Sequence, residues 1–402
     1  MKKRILLLSQ FFPPETNACA NRLESMARIL SDDYEVHIVT LKSSDPSPGH
    51  YKTLSLEHHD GQLPYKVSRT FAFHPRRGKF LMRALRENLM ALGLAAHAVS
   101  KPADVVITSV PSMFLGPICL VLARTKRAKF VLDVRDITWN YAKEVTKPSR
   151  TMKLGLWALE KYMLFVLRQA DLVVGVTTGI SKLLVESGVS PEKIVTILNG
   201  ISKDLLGISS LPTYSSLESA RPKVNYSGNI GYAQDVGVLL DAAYVLPEVD
   251  FILAGDGPEL PLLKEKARKL RVENVHFLGY LSREALLKVY AESDVLFATV
   301  RSTPTLDVTS VPTKLFEYMA TGKPVVYAGK GLAVEFLQKI GCALTVPPED
   351  PEAIAAAIQK LLSDPRLRHT LGSSGRDFVQ RDYHRDKLME GLARELETRF
   401  GE

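Results

Sequence analysis

Cysteine and long uncharged stretches are both scarce in this chain of 402 residues. The three cysteines, Cys19, Cys119 and Cys342, are odd in number and lack CxxC spacing, which excludes a disulfide framework and a cysteine zinc site. We therefore expect a reducing, cytoplasmic setting. The longest uncharged stretch, residues 105–123, is interrupted by Pro111, Gly116 and Pro117, so we expect no membrane-spanning helix.

Complete short motifs for cofactors and polyanions are also missing. The Gly255-Asp256-Gly257 turn lacks the third glycine of a dinucleotide fingerprint, because Leu260 stands at that position. The His58-His59-Asp60 run has no distant third ligand, which favours a surface loop over a metal site. No known nucleic-acid motif occurs, so we expect no nucleic-acid partner. The opening apolar run ends at Pro13 and Pro14 without a small-residue cleavage site, which predicts a buried first strand rather than a signal peptide.

The formal charge of +8 is unevenly distributed along the chain. Residues 1–200 carry 28 basic and 17 acidic side chains, whereas residues 201–402 carry 24 and 27. The composition, 46% hydrophobic and 24% charged, is that of an ordinary globular protein. The basic first half and the slightly acidic second half therefore predict different partners for two domains.

Short apolar runs alternate with longer amphipathic segments almost throughout, which predicts an α/β fold of parallel sheets covered by helices. The alternation pauses at the serine-rich stretch 209–219 and then restarts. We predict two Rossmann-like, doubly wound domains, 1–200 and 201–375, with a C-terminal helix in 376–402 that packs back on the first. Because ligands bind at the carboxyl ends of such strands, we expect a ligand in a cleft between the two domains.

The second half contains a predicted helix N-terminus whose residues are suited to bind a ligand. It lies in VPTKLFEYMATGKPVVYAG, residues 311–329. Pro312 favours the first turn of a helix, and the free N–H groups of Thr313 and Lys314 then form a candidate diphosphate site. Glu317, one turn later, is suited to accept hydrogen bonds from two ribose hydroxyls. The alternative is a surface helix on which Lys314 and Glu317 merely pair at i,i+3.

This segment resembles the nucleotide-sugar signature of GT-B glycosyltransferases of family 4, in particular the bacterial surface-polysaccharide group related to fucosamine transferases. Further segments match this family in order along nearly the whole chain, and they are LSQFFPPETNACANR, FVLDVRDITW, PEKIVTILNGIS, YSGNIGYAQDVGVLLDAA, FILAGDGPE and VHFLGYLSREALLKVYAESDVLF.

The resemblance implies that the C-terminal domain holds the donor nucleotide. Glu317 matches the carboxylate that binds the ribose, and Thr313 and Lys314 match the backbone near the diphosphate. The loop from Gly279 to Leu281 matches the one beside the nucleobase. Further donor-binding positions, at the first loop of the domain and elsewhere, are Gly228, Asn229 and Arg301.

Three departures from the family pattern affect the predicted site. The glutamate that many members place eight residues before the ribose-binding one is Thr309 here, with Asp307 nearby. The Arg and Lys of the first C-terminal-domain loop are Asn229 and Gln234, so positive charge must come from Lys314, Arg301 or Arg22. The histidine after a central N-terminal strand is replaced by Arg135 beside Asp136, a pair typical of the polysaccharide subgroup.

The loop after the first strand, Pro13 to Asn17, enters the first helix where family members often have Gly-Gly. Asn17 tolerates positive φ, which would let the backbone approach donor phosphates. Glu15, Asn21 and Arg22 would then face the ligand, with Asn17, Asn21 and Arg22 as acceptor or phosphate contacts. The alternative is that Asn17 only caps the helix and Arg22 is solvated.

A basic and apolar segment in the first half suggests contact with an anionic membrane surface. Met152 to Arg168 is a second candidate, and the alternative for both is an ordinary helix packed on the core. The membrane-contact residues predicted from the first segment are Arg76, Arg77, Lys79, Arg83 and Arg86.

The resulting prediction is a retaining glycosyltransferase that moves an N-acetylated hexosamine or deoxyhexosamine from a UDP donor to a lipid-linked acceptor in cell-surface polysaccharide assembly. Glu15, Arg135 and Asp136 are the predicted catalytic or acceptor-side residues. No cofactor is expected, and the absence of an Asp-x-Asp pair favours a mechanism without a metal. The location predicted is cytoplasmic, peripheral to the membrane. The alternatives are a UDP-sugar 2-epimerase and a non-catalytic nucleotide-sugar-binding partner.

Overall fold

The computed structural model describes residues 2–15, 17–42, 56–72, 80–110, 114–145, 150–202, 205 and 220–401. The chain divides into two compact units. Unit 1 comprises Met1–Asn199 together with Arg385–Glu402, and unit 2 comprises Gly200–His384.

Unit 1 is built on a seven-stranded parallel sheet in the order β3-β2-β1-β4-β5-β6-β7. Its strands are β1 (Arg4–Leu8), β2 (Glu35–Leu41), β3 (Lys66–Thr70), β4 (Val105–Val110), β5 (Lys129–Val134), β6 (Leu172–Gly175) and β7 (Ile194–Thr196). Its helices are α1 (Ala18–Leu30), α2 (Leu56–Gly61), α3 (Phe80–Val99), α4 (Leu115–Lys126), α5 (Thr138–Val145), α6 (Arg150–Gln169), α7 (Thr178–Glu186) and, from the C-terminal part of the chain, α16 (Arg385–Phe400).

Two apolar clusters cover the two faces of this sheet. On one face, residues of α3, α4, α6 and α7 pack against alternate strand residues such as Leu6, Val106 and Leu132. On the other, α1 and α16 pack against Leu7 and Ile107. The central strand β4 is buried along its whole length, as expected for a parallel strand covered on both faces.

Unit 2 is built on a six-stranded parallel sheet in the order β10-β9-β8-β11-β12-β13. Its strands are β8 (Lys223–Ser227), β9 (Asp250–Ala254), β10 (Val275–Gly279), β11 (Val295–Thr299), β12 (Val325–Ala328) and β13 (Ala343–Val346). Its helices are α8 (Gly237–Val245), α9 (Leu260–Leu270), α10 (Arg283–Glu292), α11 (Pro304–Thr309), α12 (Thr313–Thr321), α13 (Leu332–Ile340), α14 (Pro351–Ser363) and α15 (Pro365–Asp382).

Both faces of this second sheet are covered as well. One apolar cluster joins α8, α9 and α14 to the sheet, and another joins α10, α12 and α13 to it. The predicted α/β fold with two doubly wound sheets is confirmed. In each sheet the first three strands of the chain extend the sheet in one direction and the later strands extend it in the other. The strand order therefore reverses between β1 and β4 in unit 1 and between β8 and β11 in unit 2. These switch points are where doubly wound sheets bind ligands.

Two details of the organisation differ from the prediction. The chain returns to unit 1 at Arg385 rather than at residue 376, because α15 packs against α12 in unit 2. Strand β3 departs from the predicted pattern of short apolar runs, because its sequence KVSRT is polar, as befits a strand at the sheet edge. The predicted connector 209–219 lies outside the described residues.

The two passages of the chain into and out of unit 2 lie side by side. Ile201 forms a parallel bridge with His384, and its N–H donates to the carbonyl of Tyr383 at 2.9 Å. Unit 2 therefore begins and ends at one place.

Candidate functional site

A row of glycines crosses the carboxyl edge of the unit 2 sheet. Gly228, Gly255 and Gly279 end or follow three adjacent strands, β8, β9 and β10, and all have positive φ. The N–H of Gly228 donates to Ala254 at 2.9 Å, and the N–H of Gly255 donates to Gly279 at 2.7 Å. A Cβ built on Gly255 would lie 1.9 Å from the carbonyl oxygen of Gly228. Only glycine fits there, so the edge presents bare backbone.

Helix α12 starts beside this row. Pro312 is its N-cap residue, Thr313 begins the helix, and Gly322 ends it in the left-handed conformation with φ of 69°. The predicted helix is thus present, with Pro312 one position before the first turn instead of inside it. Because a helix start carries free N–H groups and the positive end of the dipole, it favours an anion.

The Lys314 side chain runs from α12 toward the glycine row. Its Nζ lies 3.8 Å from the centroid of the Tyr226 ring, a cation–π geometry, and 2.9 Å from where a Cβ on Gly228 would stand. The Nζ is buried and has no hydrogen-bond partner among the described residues. A buried ammonium without an acceptor is costly, and a bound anion would supply one.

Burial lowers the pKa of Lys314 to about 7, and the nearby Glu317 carboxylate opposes that shift only in part. The charged form is therefore disfavoured until an anion arrives. The alternative reading of an i,i+3 pair is not realised, since no ion pair joins Lys314 to Glu317 within the described part of the chain.

Glu317 is held instead by two side chains of α10. Arg283 donates from Nη1 to Oε1 at 3.3 Å, and the Tyr290 hydroxyl donates to Oε2 at 3.3 Å. Burial raises the pKa of Tyr290 well above its ordinary value, which keeps that hydroxyl protonated as a donor. Both bonds are long for charged partners, and the Glu317 carboxylate retains acceptor capacity for a ligand.

The first loop of unit 2 brings together Asn229, Gln234 and Arg301. The Asn229 amide donates to Gln234 at 3.0 Å. Arg301 stacks on the Tyr232 ring at 4.0 Å and donates to Asp235 at 2.7 Å. Arg301 thus contacts the loop in which Asn229 and Gln234 replace the Arg and Lys of other family members. Its charge is already balanced by Asp235.

Two residues at the missing family glutamate, Thr309 and Asp307, and the predicted base-loop residue Leu281 differ in their surroundings. Thr309 is buried, and its hydroxyl donates to the carbonyl of Thr305 within α11, at 2.7 Å. The Asp307 carboxylate accepts from Ser302 at 2.8 Å. Leu281 is half-buried in the turn between β10 and α10. The structure thus groups Lys314, Glu317 and Gly228, which are the strongest part of the prediction.

In unit 1, Arg22 is placed differently from the prediction. Its side chain is fully buried and pairs with Asp133, with Nη2 to Oδ1 at 2.8 Å. Nη1 donates to the carbonyl of Leu198 at 2.9 Å, and Ser109 donates to the second oxygen of Asp133 at 2.9 Å. The expectation that Arg22 serves a phosphate, and the alternative that it is solvated, are both wrong for this arrangement, because its guanidinium is already bonded inside the core.

The loop after β1 also corrects one expectation. Asn17 has φ of −73°, so the positive φ expected for phosphate approach is wrong. It is the N-cap of α1, accepting from the N–H of Ala20 at 2.9 Å, and its amide donates to Glu15 at 3.3 Å. Glu15 is buried, and Asn21 is half-buried with its carbonyl accepting from Arg385 at 3.4 Å.

Arg135 and Asp136 follow β5 directly at the carboxyl edge of the unit 1 sheet, next to the β1–β4 switch point. The Arg135 Nε is buried with no hydrogen-bond partner among the residues described, whereas Asp136 is exposed. This pair therefore keeps its place as a candidate for contact with a substrate.

Most of the predicted membrane-contact side chains are not among those that the structure describes. Arg76, Arg77 and Lys79 lie outside the described residues, and the side chain of Arg83 does as well. Arg86 is half-buried on α3. None of the described helices is long and apolar enough to cross a membrane.

Sequence reasoning missed the partners that organise both sites. Arg283 and Tyr290 lie more than one helix away from Glu317 along the chain, and Asp133 is 111 positions from Arg22. Tyr226 had a signal, since it precedes Ser227-Gly228 in the YSGN segment, but nothing in a linear sequence places its ring under Lys314.

Comparison with known families matches both units. The family described as glycosyl transferase 4-like domain matches residues 17–200, and the family described as glycosyl transferases group 1 matches residues 215–378. The two matches together span most of the chain, and their boundary coincides with the division into units.

Individual relatives agree with this assignment. WcaI of Escherichia coli K12, named a putative colanic acid biosynthesis glycosyl transferase, is 23% identical over 96% of this chain and 98% of its own. A GDP-mannose-dependent phosphatidylinositol monomannoside mannosyltransferase of Mycolicibacterium smegmatis is 32% identical over 33% of this chain and 36% of its own.

Among solved structures, HepE of Anabaena in complex with UDP and glucose aligns with a TM-score of 0.74 at 19% identity. The alignment covers 98% of this chain and 99% of that one, so the two share the whole fold.

Proposed function

Since this chain is a GT-B glycosyltransferase of family 4, we propose that it transfers a sugar from a UDP donor to a lipid-linked acceptor in cell-surface polysaccharide assembly, with retention of configuration. The donor sugar proposed is an N-acetylated hexosamine or deoxyhexosamine. The observation that carries the donor site is the buried Lys314 ammonium without a partner, set between the glycine row and the start of α12.

The donor nucleotide would lie along the carboxyl edge of the unit 2 sheet. The diphosphate would approach the backbone at Gly228, with Lys314 and the N–H groups of α12 as donors to its oxygens. Glu317 would accept from the ribose hydroxyls, while Arg283 and Tyr290 hold its carboxylate in place. Gly279 and Leu281 would face the base.

Catalysis would then depend on charge that develops on the diphosphate as the sugar bond breaks. Lys314 and the α12 N-terminus are fixed before the reaction, so they stabilise the departing oxygen without reorganising. In the retaining reaction proposed, the acceptor attacks on the face from which the diphosphate leaves, and the leaving group helps to take the acceptor proton. Arg135, Asp136 and Glu15 would position the acceptor.

The surface-polysaccharide role is supported by the likeness to WcaI along the full length of both chains. The choice of UDP is supported by the likeness to a fold that holds UDP, whereas the mannosyltransferase relative is named for GDP-mannose. Donor choice is therefore tested with UDP, GDP and dTDP side by side.

The direct test is calorimetric titration of UDP into the wild type and into Glu317→Gln. The amide keeps the size of the side chain and one acceptor for Arg283, but it removes the charge that ribose hydroxyls donate to. We expect UDP to bind about tenfold or more weakly, since a hydrogen bond to a charged group contributes about 1.5–3 kcal/mol. GDP and dTDP should bind more weakly than UDP to the wild type.

The matched control is Glu284→Gln on α10, whose carboxylate is exposed and pairs with Lys288. This variant should bind UDP like the wild type, and both variants should melt near the wild-type temperature. Equal UDP affinity in wild type and Glu317→Gln would refute the ribose assignment. Interconversion of UDP-N-acetylglucosamine without any acceptor would favour the epimerase instead of a transferase.

A further inference from the structure

Three neighbouring helices of unit 1 form one layer over one face of its sheet. Helix α4 contacts α3 on one side and α6 on the other, and all three bury residues in the same apolar cluster. We call the side of this layer that points away from the sheet the outer face. Its composition differs from that of the other helices in the unit.

Helix α6 is apolar on both of its sides. Toward the sheet it buries Met163 and Leu167, which are 1% and 0% exposed. On the outer face it carries Leu154, Trp157 and Phe165, which are 66%, 54% and 54% exposed. These three share one stripe at helical spacing, and a helix apolar all round is normally covered on every side.

The neighbouring helices continue this apolar surface. Leu85, Leu89, Leu92 and Val99 recur along the outer side of α3, and Val121 is exposed on α4 between the two. In contrast, α1 and α16, which cover the opposite face of the same sheet, expose no large hydrophobic side chain among the described residues. This asymmetry distinguishes the outer face from the helices on the opposite side of the sheet.

Charge on the three helices is strongly one-sided. Their sequences contain eight Lys and Arg residues against two acidic residues, Glu87 and Glu160. Glu160 is paired with Lys143 of α5 at 2.6 Å, and Glu87 is half-buried. Lys153 and Lys161 are exposed beside Trp157, so cations alternate with apolar groups along the stripe.

We propose that the outer face of α3, α4 and α6 rests on the surface of a lipid bilayer that contains anionic lipids. This inference rests on the proposed function, because it places the enzyme where a lipid-linked acceptor is. Leu154, Trp157 and Phe165 would enter the interface, and the flanking lysines would contact the anionic headgroups.

A bilayer fits this surface better than a second copy of the chain. In a symmetric dimer the same face meets itself, so the lysines and arginines of one copy would lie against those of the other. Like charges brought together in this way oppose association. Anionic headgroups instead offer the opposite charge, and an exposed indole is typical of the zone between water and acyl chains.

The two tryptophans give a direct measurement. Trp139 is buried at 3% exposure and Trp157 is exposed, so Trp139→Phe leaves a fluorophore on the proposed contact. With vesicles of phosphatidylcholine and phosphatidylglycerol we expect the Trp157 emission to shift to the blue and to be quenched by acyl-chain-brominated lipid. Pure phosphatidylcholine should have a much smaller effect. Flotation of the unmodified chain with the same vesicles gives a second measurement that does not depend on the variant.

Two double variants separate the charges from the apolar groups. Lys153→Gln with Lys161→Gln should weaken binding to the anionic vesicles about thirtyfold, from about 1 kcal/mol per cation and about 1.4 kcal/mol per tenfold change. Trp157→Ser with Phe165→Ser should abolish it. The matched control is Tyr244→Ser with Leu262→Ser, which removes equally exposed apolar groups from unit 2 and should leave binding unchanged.

All of these variants should bind UDP like the wild type, so loss of vesicle binding is distinguishable from failure of the donor site. Vesicle binding that survives both α6 variants would overturn the assignment of this face. So would absence of vesicle binding together with a concentration-dependent dimer that Trp157→Ser disrupts, since the face would then be a contact between copies.

Discussion

Arg22 in unit 1 and Lys314 in unit 2 are both basic side chains next to the switch point of a doubly wound sheet, yet their surroundings are opposite. The Arg22 guanidinium is fully buried, and it bonds to Asp133 and to the carbonyl of Leu198. The Lys314 ammonium is also buried, but it has only the face of Tyr226 beside it and no acceptor among the described residues.

This difference distinguishes a cation whose partners lie inside the fold from one that we propose binds a ligand. Burying a charge is costly unless it is paired, so the complete set of partners at Arg22 stabilises the core of unit 1. An ammonium without an acceptor stores part of that cost, which an incoming phosphate oxygen removes. The sequence alone made both residues candidates for the positive charge beside the diphosphate.

The largest effect is expected when Arg22 is replaced, and it is a loss of thermal stability in unit 1. Arg22→Met leaves the Asp133 carboxylate buried without its partner, which costs about 3–5 kcal/mol. For a unit of this size that lowers the midpoint of unit 1 unfolding by about 6–20 °C, measured by calorimetry. UDP affinity at a temperature where the variant is folded should stay at the wild-type value.

The control for this experiment is Arg22→Met combined with Asp133→Asn, which removes both charges at nearly unchanged volume. Its transition should return most of the way to the wild-type temperature, because no unpaired charge is left in the core and the amide oxygen can still accept from Ser109. A single variant as stable as the wild type would mean that Arg22 does not serve the core.

A second effect, on binding instead of folding, is expected for Lys314→Met. The methionine fills the same space over Tyr226 without a charge to bury, so the melting temperature should be retained or raised. UDP should bind about ten- to a hundredfold more weakly, from the loss of about 1.5–3 kcal/mol of charged hydrogen bonding. Uridine, which has no phosphate, should bind both proteins equally. A variant that loses stability but keeps its UDP affinity would reverse the roles given to Arg22 and Lys314.

The smallest effect is the change in UDP affinity per pH unit that follows from deprotonation of Lys314. With the pKa of Lys314 lowered to about 7 by burial, the free protein loses this proton as the pH rises above 7, and binding of a diphosphate must restore it. UDP affinity should therefore fall by up to about tenfold per pH unit between roughly pH 7.5 and 9, where the phosphate charge is constant because its own pKa is about 6.

In Lys314→Met the same titration should be flat. The lowered pKa of Lys314 also determines how folding stability changes with pH. Because the folded pKa lies below the unfolded one, the burial penalty is complete below pH 7 and fades as the pH rises toward 10.5. The stability gained by Lys314→Met should then be greatest in acid. A wild-type affinity that rises with pH would contradict the assignment.

The sequence predicts those features of the site that depend on neighbouring residues. It does not predict contacts between residues that are far apart in the chain. Pro312 predicts the start of a helix, and α12 begins at Thr313, one residue later. The glycines after β8 and β9 are visible as turns. These features depend on neighbours in the chain.

The partners that give each charge its role come from elsewhere in the chain. Asp133 reaches Arg22 only because β5 lies near α1 in the folded sheet, and Arg283 reaches Glu317 only through the packing of α10 on α12. The return of the chain at Arg385 is likewise set by where α15 packs, not by any break in composition. Such contacts depend on topology, which a single sequence specifies only indirectly.

The bridge between Ile201 and His384 brings the two ends of unit 2 together. A segment whose two ends adjoin can be cut out and replaced without rerouting the rest of the chain. Unit 2, Gly200–His384, therefore has the connectivity of an exchangeable segment. If it holds the donor as proposed, replacing it with the matching segment of a relative should transfer the nucleotide preference of that relative to this chain.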